Sequence, residues 1–151
     1  MHAVCRWHQR ARWLHQHRVP FLPKWIYYLM RIVFACDLPY AVDMAKDVKL
    51  FHNGLGVVIH RQAKIGSGTS IYQNVTIGGN GREGKDNGIP VIGRNVFIGA
   101  GAVIMGPITI GDYARIGANS VVTRSVPPYG VAVGAPAQLI RIDYDRGVSA
   151  R

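Results

Sequence analysis

Aliphatic side chains recur at every sixth position along the second half of the chain: Ile92, Ile98, Ile104, Ile110, Ile116 and Val122. A shorter series with the same step precedes it, at Ile59, Ile65, Ile71 and Ile77. With Ile, Leu and Val at roughly a quarter of all positions, six hits at one fixed spacing arise by chance about once in several thousand trials. Glycine directly follows many of these residues (Gly66, Gly78, Gly93, Gly99, Gly111, Gly117), and a small or apolar residue stands four positions on (Val96, Ala102, Ile108, Ala114, Ser120). A period of six fits neither an amphipathic helix nor a long alternating strand. It predicts very short strands joined by tight corners, with the aliphatic side chain pointing inward and glycine supplying backbone angles that other residues avoid. Such units stack into a parallel β-helix, each rung hydrogen-bonded to the next at about 4.8 Å. No rung buries its own apolar residues, so stability is shared along the stack.

Before about residue 44 the pattern is different. Residues 3–17 and 22–34 read as two short helices punctuated by Pro20 and Pro23. Their faces carry Trp7, Trp13 and Leu14, then Trp25, Tyr28, Leu29, Ile32 and Val33, which suggests a helical cap on the β-helix. The expected organisation is a helical segment over 1–36, a β-helix over 37–141 and a tail over 142–151. The hexad rhythm breaks twice. Residues 78–90, "GGNGREGKDNGIP", separate Ile77 from Ile92 and must leave the coil as a loop. The second break is at residues 50–59, where Leu50 and Ile59 stand nine apart, and the turn between them contains His52.

Composition narrows the classes. A chain of 151 residues, 48% of them hydrophobic, can build one domain with a real core and is not disordered. Its net charge of +10 is lopsided: no acidic residue precedes Asp37, whereas Arg6, Arg10, Arg12, Arg18, Lys24 and Arg31 all do. Such a segment suits an acidic lipid surface or partner, or is simply a solvated helix face. No nucleic-acid recognition motif accompanies it. The apolar run around "WIYYLM" is too short to cross a bilayer, which leaves peripheral contact with the inner membrane face as the membrane option. Cys5 and Cys36 match no metal or redox spacing and read as reduced thiols in a cytoplasmic protein.

The loop holds two misleading motifs. "GNGREG" from Gly79 matches the dinucleotide fingerprint, and "GNGREGKD" comes close to a phosphate-binding loop. Both motifs require a helix to follow, and "DNGIPVIG" does not begin one. Among the histidines, His2, His8, His15 and His17 are assigned to the surface of the cap, and His60 to a coil corner. Only His52 and His60 fall in the repeats, so no zinc site is expected. His52 sits in an irregular turn beside Asn53 and Gly54, where an imidazole can project outward and act as a general base near neutral pH.

Taken together, "LFHNGLGVVIHRQAKIGSG", "IYQNVTIGG", "VIGRNVFIGAGAVIMGPITIGDYARIGANSVVTRSVP" and "GAPAQLI" resemble the hexapeptide-repeat acetyltransferases, in particular serine acetyltransferases and the colanic-acid type of polysaccharide O-acetyltransferase. The resemblance covers residues 37–141. It implies a left-handed parallel β-helix, a homotrimer, and acetyl-CoA as acyl donor held between neighbouring prisms. It also implies His52 as catalytic base and Asp37, fifteen residues earlier, as the carboxylate that orients it, with Asp43 or Asp47 as alternatives. By the same resemblance Gly78, Gly79, Ala100 and Ala118 line the path of the cofactor, and Arg124 or Arg141 meets its phosphates, since Gln138 follows "GAPA" where a basic residue is usual.

Two departures bear on the acceptor. Serine acetyltransferases carry an aspartate before the catalytic histidine, where this chain has Phe51, and an Arg-His pair in the loop, where it has "DNGIP" with Asn87, Gly88 and Ile89. An amino-acid acceptor then lacks its ion-pair partners, and buried charge without a partner is costly. The reading from sequence is therefore acetyl transfer to a hydroxyl of a sugar, free or lipid-linked, in polysaccharide biosynthesis. Serine O-acetylation and a non-catalytic β-helix scaffold are the alternatives.

Overall fold

In the computed structural model, residues 2–81 and 88–144 are described. Two helices, α1 (Ala3–Gln16) and α2 (Leu22–Phe34), precede a coil of short strands. The predicted helices match to within a residue. Helix α2 carries proline in its first turn and ends at Ala35, whose left-handed backbone (φ 49°) turns the chain into the coil.

The coil contains β1 (Asp43–Met44), β2 (Lys49–Leu50), β3 (Val58–Ile59), β4 (Lys64–Ile65), β5 (Ser70–Ile71), β6 (Thr76–Gly78), β7 (Val91–Ile92), β8 (Phe97–Ile98), β9 (Val103–Met105), β10 (Thr109–Ile110), β11 (Arg115–Ile116) and β12 (Val121–Val122). Every third strand pairs in parallel, which generates three sheets visited in turn. We call them sheet A (β3, β6, β9, β12), sheet B (β1, β4, β7, β10) and sheet C (β2, β5, β8, β11). Val58 pairs with Thr76, 18 residues on, and Val103 with Val121, again 18 on. That is three hexads per coil. At the two breaks the step lengthens: Asp43 pairs with Lys64, 21 residues on, and Thr76 with Val103, 27 on. The breaks are insertions at corners, and the register recovers beyond each.

Every aliphatic residue of the two predicted series is buried, as are Val96, Ala102, Ile108, Ala114 and Ser120. The side chain before each inward aliphatic points outward, as in Val58, Lys64 and Val91. Strand β13 (Gly130–Gly134) adds to sheet C beside β11, and β14 (Ala137–Ile142) folds back antiparallel on it, ending the stack. Most of the tail expected over 142–151 lies outside the described residues, and Ile142 itself belongs to β14.

The cap is latched to the first coil. Val4, Cys5, His8 and Ala11 form the buried stripe of α1. Gln9 donates to the Lys46 carbonyl at 2.8 Å, and Arg12 forms an ion pair with Asp43 at 2.7 Å. His8 was expected at the surface and is instead fully buried, its Nε2 3.2 Å from the Pro39 carbonyl oxygen while Nδ1 has no partner. The reason is spacing: four and three residues separate His8 from Val4 and Ala11, so it belongs to the stripe that meets the coil. Burial pushes its imidazole down to about 4. The stripe Leu22, Trp25, Leu29, Ile32 of α2 faces outward, and α2 buries only Pro23 and Met30. Among the described residues, no helix is long and apolar enough to cross a membrane.

Candidate active site

The three-residue insertion after β2 falls in a tight, irregular turn, Phe51–Gly54. Within it His52 (φ 52°), Asn53 (φ 53°) and Gly54 (φ 73°) are successively left-handed. Glycine accepts this freely and asparagine tolerates it, but histidine at such an angle costs about 1 kcal/mol or more. The turn is therefore held from several sides. The Leu55 N–H donates to the His52 carbonyl at 3.2 Å, the Val57 N–H to that of Gly54 at 2.9 Å, and the Gly56 N–H to that of Ala35 at 2.9 Å. Phe51 stacks on Tyr72 of the next coil, ring centroids 4.4 Å apart and planes 11° from parallel. The outcome is an exposed His52 on a defined corner.

That corner joins sheet C to sheet A. In later coils it carries Gln73, Ala100 and Ala118, tied by backbone bonds from Gly101 to Gln73 (2.9 Å) and from Asn119 to Ala100 (2.8 Å). His52, Ala100 and Ala118 thus share one edge of the prism, with Ala118 exposed and Ala100 half-buried. Gly78 and Gly79 lie at the opposite edge of sheet A, where the long loop leaves, and exposed Arg124 sits at the same edge in a later coil. A Cβ added at Gly78 would meet no atom within 4 Å, so the space beside it is open. Both interruptions of the hexad rhythm therefore flank a single sheet. Arg141 is elsewhere: it lies on β14, at the closed end of sheet C, and its Nε bonds Asp143 at 2.9 Å. Residues 82–87 of the loop, including Asn87, lie outside the described residues.

Asp37 opens sheet A. It bridges Val58 in parallel, its N–H bonded to the Val57 carbonyl and its own carbonyl to the Ile59 N–H. Its carboxylate accepts from the Tyr27 hydroxyl at 2.7 Å and lies 3.6 Å from Arg31. No hydrogen bond joins it to His52. The two alternative carboxylates are placed further round the prism: Asp43 on sheet B, paired with Arg12, and Asp47 between sheets B and C, accepting from Ser67. The neighbouring Cys36 thiol is pushed up to about 11, first by burial and then by the charge of Asp37, so it is inert. His60 is a corner residue, its Nδ1 accepting the Gln62 N–H. Among the described residues, no three His, Cys, Asp or Glu side chains converge on a point that a metal could occupy. Tyr27 and Tyr72, which hold Asp37 and the His52 turn, were not singled out from sequence for these roles. The only signal available was their position one helical or coil step from residues that were.

Residues 89–124 match the family model described as bacterial transferase hexapeptide (six repeats). Serine acetyltransferase of Synechococcus elongatus is 40% identical over 138 residues, 91% of this chain and 54% of that protein. Among solved structures, soybean serine acetyltransferase complexed with serine superposes with a TM-score of 0.83 at 40% identity, covering 91% of this chain and 56% of that one. Serine acetyltransferase of Brucella abortus in complex with coenzyme A gives a TM-score of 0.82 at 32% identity, covering 89% and 53%. The chain carries the bacterial transferase hexapeptide repeat and is similar to serine acetyltransferases. It spans about half the length of the curated relatives it matches. The likeness takes in the cap helices as well as the coil, since about nine-tenths of this hexapeptide-repeat chain is matched.

These relatives overturn the sugar acceptor inferred from sequence. That inference rested on two missing charged residues, at Phe51 and in the loop. Missing charges describe how an acceptor is not held, which leaves open what does hold it. Nor does anything in the comparisons support a lipid-linked acceptor or a role in polysaccharide biosynthesis.

Proposed function

We propose that this chain forms an acetyl-CoA-dependent O-acetyltransferase centre with L-serine as acceptor and His52 as general base. The observation that carries the reading is the placement of both coil interruptions on the two edges of sheet A, one presenting His52 and the other opening beside Gly78. The relatives solved with serine and with coenzyme A support the two substrates.

His52 takes the proton of the serine hydroxyl as that oxygen attacks the thioester carbonyl carbon. A tetrahedral oxyanion forms, the carbon–sulfur bond breaks, and the proton passes from His52 to the departing thiolate of coenzyme A. General-base assistance of this kind contributes about 10²–10⁴-fold, and holding both reactants in line supplies much of the remainder. The backbone N–H groups of Gly78 and Gly79 are the candidates for the developing oxyanion. Ala100 and Ala118 keep the His52 edge low enough for an extended pantetheine chain, and Arg124 is the better placed of the two arginines for its phosphates. Asp37 is the carboxylate of choice for orienting His52, because its backbone runs beneath Val57–Ile59 while Asp43 and Asp47 lie on other faces. A left-handed winding and assembly as a trimer belong to the same proposal, with an adjacent prism supplying the second wall of the cleft. Light scattering then gives three times the 16.6 kDa chain mass.

The direct test is product analysis. Incubation with acetyl-CoA and L-serine should yield an acetylated serine by mass spectrometry in step with thiol release. Thiol release that is indifferent to serine would refute the acceptor assignment.

A further inference from the structure

The side chains of Phe51, Tyr72 and Phe97 form a continuous aromatic column on the outside of sheet C. Phe51 and Tyr72 stack in parallel, Phe97 leans on Tyr72 at 5.3 Å, and the Arg115 guanidinium sits 4.3 Å above the Phe97 ring. From below, the His2 ring of the cap meets Phe51 at 5.4 Å. The column follows from register. Leu50 pairs with Ile71, so the residues after them, Phe51 and Tyr72, arrive one above the other. Ser70 pairs with Phe97 and Phe97 with Arg115, which continues the contact upward through two more coils.

Its lower end matters because Phe51 is bonded directly to His52. Three successive left-handed residues follow Phe51, and a turn of that kind keeps one shape only where its surroundings over-determine it. The backbone bonds named above fix the C-terminal side of the turn, from Leu55 to Val57. On the N-terminal side, among the described residues, Phe51 meets the rings of Tyr72 and His2. The Tyr72 hydroxyl makes no hydrogen bond within the described structure, so its contribution is the ring face.

We propose that Tyr72 is a positioning residue for His52: stacked on Phe51, it fixes the start of the left-handed turn and with it the direction in which the imidazole points. The proposal rests on the reading of His52 as the base. It assigns Tyr72 no contact with either substrate. Phe97 and Arg115 act one and two coils further away and stiffen Tyr72.

The test uses the full chain with the substitutions Tyr72→Phe, Tyr72→Leu and Tyr72→Ala. Leucine fills space without offering a ring face, so it preserves folding where alanine does not. Tyr72→Phe should stay within about 2-fold of wild type in kcat. Tyr72→Leu should lose about 10–100-fold in kcat with the KM for acetyl-CoA changed less than about 3-fold, the size of effect expected when a reacting group is displaced by about 1 Å. Histidine-selective NMR supplies a readout independent of turnover, with the His52 ring signals assigned by their loss in His52→Ala. In Tyr72→Leu these signals should broaden and move toward those of an unstructured histidine. Unchanged His52 signals in Tyr72→Leu would overturn the proposal, and so would a loss seen equally in Tyr72→Phe. Should His52→Ala itself prove fully active, the base reading fails, while the response of the ring signals to Tyr72 still decides whether the stack sets the turn.

Discussion

The Tyr27 hydroxyl donates a 2.7 Å hydrogen bond to Oδ1 of Asp37, and Arg31, one helical turn along, donates to the same hydroxyl at 3.2 Å. Helix α2 thus grips the first residue of sheet A, which runs beneath Val57–Ile59, the residues that follow the His52 turn. Through this contact the cap holds the carboxylate that the proposed function assigns to orienting His52.

Removing that hydroxyl should be felt twice. Tyr27→Phe leaves the ring in place and deprives a half-exposed carboxylate of its donor, which costs about 1 kcal/mol in urea unfolding. If Asp37 orients the base, kcat should also fall by several fold with little change in the KM for acetyl-CoA. A variant with lowered stability and unaltered kcat would separate Asp37 from the chemistry.

The inward hexads make a stability prediction of ordinary core type. Ile104 is wholly buried between Ile77 and Val122 of the neighbouring coils. Ile104→Ala should cost about 2–5 kcal/mol, read as a shift in the urea midpoint with the slope retained. A loss under 1 kcal/mol would mean the column collapses around the gap.

Corner geometry makes a second. Gly56 has φ +67°, and a Cβ there would stand 1.9 Å from Oδ1 of Asn74, which lies above it in the next coil. Gly56→Ala should destabilise by about 2 kcal/mol or more, from a disfavoured angle and a clash together. Adding Asn74→Gly removes the clash and leaves the angle, so partial recovery is expected. Full recovery would show that the angle contributes nothing.

How much of this was legible in the sequence depends on how local each cause is. The coil was, because Ile59 through Val122 repeat one spacing and each repeat states the same inward position. The helices were, because Pro20 and Pro23 mark their ends. The burial of His8 was readable in principle from Val4, Cys5 and Ala11, but the basic composition around it pointed to solvent. The Phe51–Tyr72 and Tyr27–Asp37 contacts were not readable, since they depend on which coil lies above which and on how the cap docks. The acceptor was misread because Phe51 and the loop speak only of absent charges.

Acid should expose His8. Its folded value, about 4, lies below the ordinary 6.5, so between these values the unfolded chain binds a proton that the folded chain refuses. Stability is therefore complete above pH 6.5 and declines as pH falls toward 4, by about 3 kcal/mol in all. Asp47 and Asp112, both held below the usual carboxylate range, lose their contribution only at lower pH, Asp47 chiefly through its Ser67 bond and Asp112 chiefly through the Arg94 N–H. Urea midpoints from pH 7.5 to 4.5 should fall for wild type and stay flatter for His8→Phe. Parallel curves would show that His8 does not set the acid dependence.

We propose that the corner turn presents His52 as the base of an acetyl transfer. The most direct test is thiol release from acetyl-CoA with L-serine as acceptor, compared between wild type and His52→Ala at equal folding by circular dichroism. In His52→Ala, kcat should fall by about 10²–10⁴-fold with acetyl-CoA binding retained. A variant that keeps its turnover to within a few fold would contradict the proposal.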